Sequence, residues 1–227
     1  MNTKILHRDD LEQGGFADLR EYYLVEDPRV LGDDIEETSW MGIGNFVYLA
    51  DAKYNPKGDT RMHNHREIDV VTFVLEGRLT HVGSLKNGQD LSAFQLQVQR
   101  AGGEGFSHNE VNPDDTENRV LQLWVLPENK GEPAGYKLYQ PEWGKVTRVY
   151  GGAKNQSETF DSHTLVDVAM MKEGQSFAIE GEFIAYLTMG KGTANEQEVS
   201  EGDLIRGQGL SFTAEQKSQL VVVQLNE

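Results

Sequence analysis

Gly58 to Gly77 reads GDTRMHNHREIDVVTFVLEG, and Gly103 to Asn112 reads GEGFSHNEVN. In the first stretch His63-Asn64-His65 places two imidazoles at i and i+2, which on a strand point to the same face. His108-Asn109-Glu110 repeats that geometry with a carboxylate, after Gly103 and Gly105, which permit a tight entry turn. If both pairs face one barrel interior, His63, His65, His108 and Glu110 offer three nitrogens and one oxygen to a single ion. Such a set suits Fe(II), with Mn, Ni, Cu or Zn also admissible, and an octahedral ion would keep two positions open. A lone His-x-His is more often a surface or hydrogen-bonded feature than a ligand pair. The second pair is what favours a metal.

Working outward, VVTFVLEGRL (Val70 to Leu79) is rich in β-branched and aromatic residues and breaks at Glu76-Gly77, so it predicts two strands joined by a tight turn. Lys86-Asn87-Gly88 predicts a type I′ hairpin turn, with Asn87 and Gly88 at positive φ. Phe94 to Val98 alternates apolar residues with Gln and reads as a half-exposed strand. RVLQLWVL (Arg119 to Leu126) is a further apolar run. The Pro- and Gly-bearing stretch after it reads as the junction between domains, 1–135 and 136–227. TLVDVAMM, SFAIEG, FIAYLTMGKG and QLVVVQLNE continue the pattern in the second half, with turns at Glu173-Gly174-Gln175 and Glu201-Gly202-Asp203. VLEGRLTHVG near Gly77 and LTMGKGTANE near Gly190 share one outline, which suggests a duplication. The expected class is all-β, with a barrel or sandwich in each half. One helix is expected over Asp9 to Arg20 and another in the linker.

Composition narrows the function classes. A formal charge of −16, from 37 acidic and 21 basic residues, repels phosphate backbones and anionic membranes, so neither direct nucleic-acid binding nor membrane association is expected. With no cysteine there are no disulfides, thiolate nucleophiles or iron-sulfur ligands, so a metal must be held by His and carboxylates. No signal-peptide core and no membrane-length apolar run is present, and the expected location is cytoplasmic.

HxHR at His63 to Arg66, VTFVLEG at Val71 to Gly77 and GxGxxHxE at Gly103 to Glu110 resemble the paired cupin motifs of the pirin family. Gln122 to Pro127 (QLWVLP) and Tyr139 resemble the segment that closes that family's first domain. The resemblance implies a bicupin: two double-stranded β-helix (jelly-roll) barrels in tandem, with iron in the N-terminal one on residues matching His63, His65, His108 and Glu110. It also implies quercetin 2,3-dioxygenase activity, as some pirins have, or a co-regulator role, as others have. Two positions depart from the family pattern, Glu67 for Gly and Asp69 for Glu, and strand parity would let Glu67 project into the pocket.

On the enzyme reading the substrates are a flavonol and O2, the metal is Lewis acid and template, and Glu110 alternates between ligand and general base. Phe106 and Phe73 are candidates for an apolar wall, with ordinary core the commoner role for both. The rival reading is a metal-dependent or redox-sensing regulatory protein whose acidic surface suits a basic protein partner. The second half has a single histidine, His163, so no metal is expected there. His81 and His7 read as solvated or hydrogen-bonded rather than ligating.

Overall fold

β-Branched and aromatic runs become strands throughout the computed structural model, which describes residues 3–226. β1 (Lys4–His7) is followed by β2 (Leu19–Glu26), β3 (Phe46–Tyr54), β4 (His63–His65), β5 (Asp69–Glu76), β6 (Arg78–Gly83), β7 (Gln89–Ser92), β8 (Leu96–Arg100), β9 (Phe106–Val111), β10 (Asn118–Val125) and β11 (Gly135–Tyr139). The second half adds β12 (Lys145–Gly152), β13 (Ser162–Met171), β14 (Ser176–Met189), β15 (Lys191–Ala194), β16 (Gln197–Ser200), β17 (Asp203–Ala214) and β18 (Ser218–Leu225). The chain divides into two units, one spanning Leu11–Gln140 and the other taking residues up to Asp10 with those from Pro141 onward. The position 135/136 thus falls at the start of β11, which pairs with β8 inside the first unit.

In the first unit a six-stranded sheet, β11-β8-β5-β10-β3-β2, accompanies a four-stranded sheet, β4-β9-β6-β7. Successive strands β5 and β6 lie in different sheets. The Glu76-Gly77 turn is therefore a corner between layers, not a hairpin, and Gly77 takes it at φ +75. Leu79 and Leu91 behind that corner pack with Val74, Val120 and Tyr54, while Val47, Ile68, Val70, Ala101 and Phe106 form a second apolar cluster.

Several expectations are corrected. Asp9 to Arg20 is not a helix: a 3-10 turn covers Arg8–Asp10, Ala17 has φ +54, and Leu19 already starts β2. Gly14-Gly15 removes helical propensity there, and pairing with β3 then wins the segment for the sheet. No helix occupies the linker. Among the described residues the single α-helix is α1 (Pro28–Leu31), capped by the Asp27 side chain on the Arg29 amide. The hairpin after β6 places Lys86 and Gly88, not Asn87, at positive φ, because the Asn87 side chain accepts a bond from the Gly83 amide. β8 is buried along its whole length rather than half exposed, so Gln97 and Gln99 point into protein. SFAIEG and FIAYLTM form one strand, β14, with an irregularity between Ile179 and Glu182.

The second unit forms one sheet, β12-β13-β18-β14-β17-β15-β16, with β1 added on β17. Its design repeats that of the first unit. Gly190 (φ +93) separates β14 from β15 as Gly77 separates β5 from β6. Thr80 pairs with Val111, and Thr193 pairs with Thr213, each Thr lying at the same offset from its corner glycine. Following both registers, Leu210 stands where the first unit has His108, Phe212 where it has Glu110, and Ile179 where it has His63. All three belong to, or pack against, the apolar core of the second unit.

Candidate metal centre

The ligand geometry follows from one antiparallel pairing. β4 lies against β9 with His63 opposite His108 and His65 opposite Phe106. Strand alternation turns Phe106, His108 and Glu110 inward together. One nitrogen from each of His63, His65 and His108 lies within 4.8 Å of the others, and His63 Nε2 stands 3.0 Å from His108 Nε2. His63 Nδ1 donates to the Arg61 carbonyl at 2.9 Å, which leaves the Nε2 lone pair facing the cluster. His65 Nε2 is buried without any hydrogen-bond partner.

Burial, reinforced by repulsion from His108 and His63, pushes the His65 imidazole down to about 3. Burial with His63 and His81 nearby takes His108 to about 2. Both rings are therefore neutral near pH 7. Two neutral imidazoles and the inward lone pair of His63, one of the three nitrogens left unsatisfied in a buried place, match the donor set of a borderline divalent ion. The residues fit the metal that their spacing implies.

Glu110 sits differently from its partners. Its carboxylate is fully buried and accepts from Thr72 Oγ1 (2.6 Å), Gln97 Nε2 (2.7 Å), Tyr54 Oη (3.0 Å) and Gln122 Nε2 (3.4 Å). It approaches His108 from the Nδ1 side, at 4.0 Å, and forms a second close group with His108 and His81. The structure thus gathers His63, His65 and His108 on one side of the His108 ring and places Glu110 on the other. His81 is buried and donates through Nε2 to the Leu85 carbonyl at 2.6 Å. Gln99 Nε2 lies 3.4 Å from His108 Nδ1 while Gln99 Oε1 is buried without a partner, and turning that amide over would let Oε1 accept from Nδ1–H. Gln97 and Gln99 escape a sequence reading because alternating Gln signals a solvent face, whereas here it lines a polar interior.

Glu67 does not enter the pocket. Its backbone turns through φ +53 between β4 and β5, breaking strand parity, and its carboxylate accepts the Gly131 amide at 3.0 Å. Asp69 is fully buried and pairs with Arg100 at 3.2 Å. Phe106 touches the site, its ring 5.2 Å from that of His65 and 5.1 Å from that of His108. Phe73 is fully buried on the face of β5 opposite to Thr72 and away from Glu110. His7 bonds Asp203 at 2.8 Å, and His163 is exposed.

Beside His63 and His65 opens a cavity of about 550 Å³, within the size range of small-molecule sites. Tyr48 and Trp124 line it as a stacked pair, ring centroids 4.2 Å apart, and Tyr23, Phe16, Glu21 and Gln122 complete much of the wall. Trp124 Nε1 is buried without an acceptor. Glu21 and Tyr23 alternate inward along β2, opposite Ala52 and Ala50 of β3, and reading this segment as a helix hides that pairing.

A sequence model of the Pirin family matches residues 31–125. Over 207 residues the chain is 28% identical to a quercetin 2,3-dioxygenase of Escherichia coli K12, covering 87% of this chain and 81% of that protein. A pirin-like protein of Caulobacter vibrioides is 26% identical over 174 residues, 71% of this chain and 75% of its own. Among solved structures, bacterial pirin YhhW from Escherichia coli in complex with nickel(II) superposes with a TM-score of 0.85 at 18% identity, over 99% of each chain. The shared architecture is the all-β bicupin. No helix among the described residues is long and apolar enough to cross a membrane.

Proposed function

Since this chain belongs to the pirin family, we propose that it is a metal-dependent dioxygenase that opens the ring of a flavonol-type substrate with O2. One observation carries the reading: three imidazoles converge, and two of them, His63 and His65, line an aromatic-walled cavity of small-molecule size. His63, His65 and His108 would hold the ion, and Glu110, which the sequence pattern puts on the metal, stands instead behind the His108 ring. Iron is the metal favoured here, with Mn, Ni, Cu or Zn also admitted by the donor set. When bound, the ion supplies Lewis acidity toward a substrate oxygen and a meeting point for substrate and O2.

The chain's own residues do the rest. Trp124 and Tyr48 present flat faces that bind an aromatic ring and keep water from it. Trp124 Nε1–H has no acceptor inside the protein and is free to donate to a substrate carbonyl or hydroxyl oxygen. The Arg61 carbonyl fixes the orientation of His63, and Phe106 packs against both His65 and His108. Glu110, bonded by four donors, is fixed behind His108 and backs the side of the ring turned away from the cluster. The test is to load the protein separately with Fe(II), Ni(II), Mn(II), Cu(II) and Zn(II), supply quercetin in air, and follow loss of flavonol absorbance with release of carbon monoxide. Turnover with at least one ion is expected; none with any ion sinks the dioxygenase reading.

A further inference from the structure

We infer that Glu21 is the group that takes the hydroxyl proton of the substrate in this cavity. The inference rests on the dioxygenase reading and assigns a step within it that sequence spacing had given to Glu110.

The contrast between the two carboxylates decides the matter. Glu110 is sealed on the far side of His108, and four side-chain donors occupy its two oxygens. A carboxylate held in that way has its oxygens committed to protein donors and no opening toward a ligand. Glu21 lines the cavity together with His63 and His65. Only 4% of Glu21 is exposed, yet its hydrogen bond is a single long one, from Tyr23 Oη at 3.2 Å. A carboxyl group so buried and so weakly bonded is poised to exchange a proton with whatever fills the space in front of it. Burial holds its carboxyl up to about 7, where uptake and release are nearly balanced in neutral solution.

The surroundings add no competing base of equal reach. Along β2, Glu26 is engaged by the Glu36 amide and by Ser39 Oγ at 2.9 and 2.8 Å. From β3, the hydroxyl of Tyr54 is spent on Glu110, and burial raises Tyr48 well above the usual phenol range. His63 and His65 of β4 are the proposed metal ligands. Asp34 and Glu36, where the cavity meets solvent, are exposed. The step balances simply: the substrate O–H bond breaks, its electron pair stays on oxygen, and the proton passes to a Glu21 carboxylate oxygen, forming the carboxylic acid. The oxygen left negative would be free to meet an ion held by His63, His65 and His108.

The experiment uses the Ni(II)-loaded protein without O2, so that binding is seen apart from turnover. Quercetin is titrated in from pH 5.5 to 9, and the red-shifted absorption of its ionised form is followed. With Glu21 intact the bound flavonol is expected to ionise at a lower pH than the free flavonol. Glu21→Gln, nearly the same shape, is expected to bind quercetin within about threefold of the parent yet ionise it about one pH unit higher, a tenfold loss of ionised fraction in the steep range. Glu21→Asp, which keeps a carboxylate one methylene further back, should fall between the two. Circular dichroism confirms that each variant is folded. Binding with an unchanged ionisation midpoint in Glu21→Gln overturns the role given to Glu21 and leaves the dioxygenase reading standing. Failure of quercetin to bind the parent protein overturns both.

Discussion

Glu21→Gln should make the protein more stable above neutral pH and leave it nearly unchanged in acid. A carboxyl whose folded-state pKa is raised favours folding only while it stays protonated. Its ordinary value is 4.5, and burial lifts it to about 7. Below pH 4.5 both folded and unfolded chains carry the proton and nothing is lost. Between 4.5 and 7 the unfolded chain gives it up first, so stability falls as pH rises, and above 7 the penalty is complete. At about 1.4 kcal/mol per pH unit this comes to about 3 kcal/mol, an upper figure because relaxation and water in the cavity reduce it. A glutamine keeps the Tyr23 contact and has no charge to bury, so about 1–3 kcal/mol should be regained at pH 8. The assay is urea unfolding at pH 4.5 and pH 8 in a Trp143→Phe background, where Trp40 and Trp124 report on the first unit alone. Equal effects of the substitution at the two pH values would refute the reasoning, as would destabilisation at pH 8.

Three further outcomes are expected. His108→Ala should abolish stoichiometric metal, measured by elemental analysis, while circular dichroism stays native; retained metal would show that His108 is not a ligand. Gly83→Ala would place a Cβ 2.3 Å from the Ser107 carbonyl and 2.9 Å from His108 Cβ, so β9 must shift. Calorimetric titration should then show metal affinity at least about tenfold weaker, the scale on which ligand orientation matters. Asp51→Asn leaves the Arg119 guanidinium buried without the carboxylate that now meets it at 2.9 and 2.6 Å, and should cost about 3 kcal/mol in chemical denaturation.

The part of the site readable in the sequence is the part set by local spacing. His-x-His and His-x-Glu fix their own faces on a strand, and the three histidines do converge. The all-β class is equally local, because runs such as Val70 to Leu75 and Arg119 to Leu126 are strand-forming wherever they sit. What depends on partners stays hidden. Glu110 reads as equal to His108, yet Thr72, Gln97, Tyr54 and Gln122 arrive from β5, β8, β3 and β10 to claim its oxygens. Glu67 has ligand parity on paper and loses it through a single positive φ. Glu21 and Tyr23 become cavity walls only because β3 pairs with Leu19–Glu26, a choice that Gly14-Gly15 permits and no short-range pattern announces.

The pairing of β1 with β17 bears on how the molecule is made. Lys4 meets Arg206, and His7 meets Asp203, so this strand waits for partners synthesised about 200 residues after it. At the usual pace of translation that wait is roughly 10–40 s. During it the first unit, Leu11–Gln140, can close its own sheets, while the Lys4–His7 edge stays unpaired and open to any other strand it meets. A purification tag placed ahead of Lys4 would therefore act on the joining of β1 to β17 and leave the Leu11–Gln140 unit to form undisturbed.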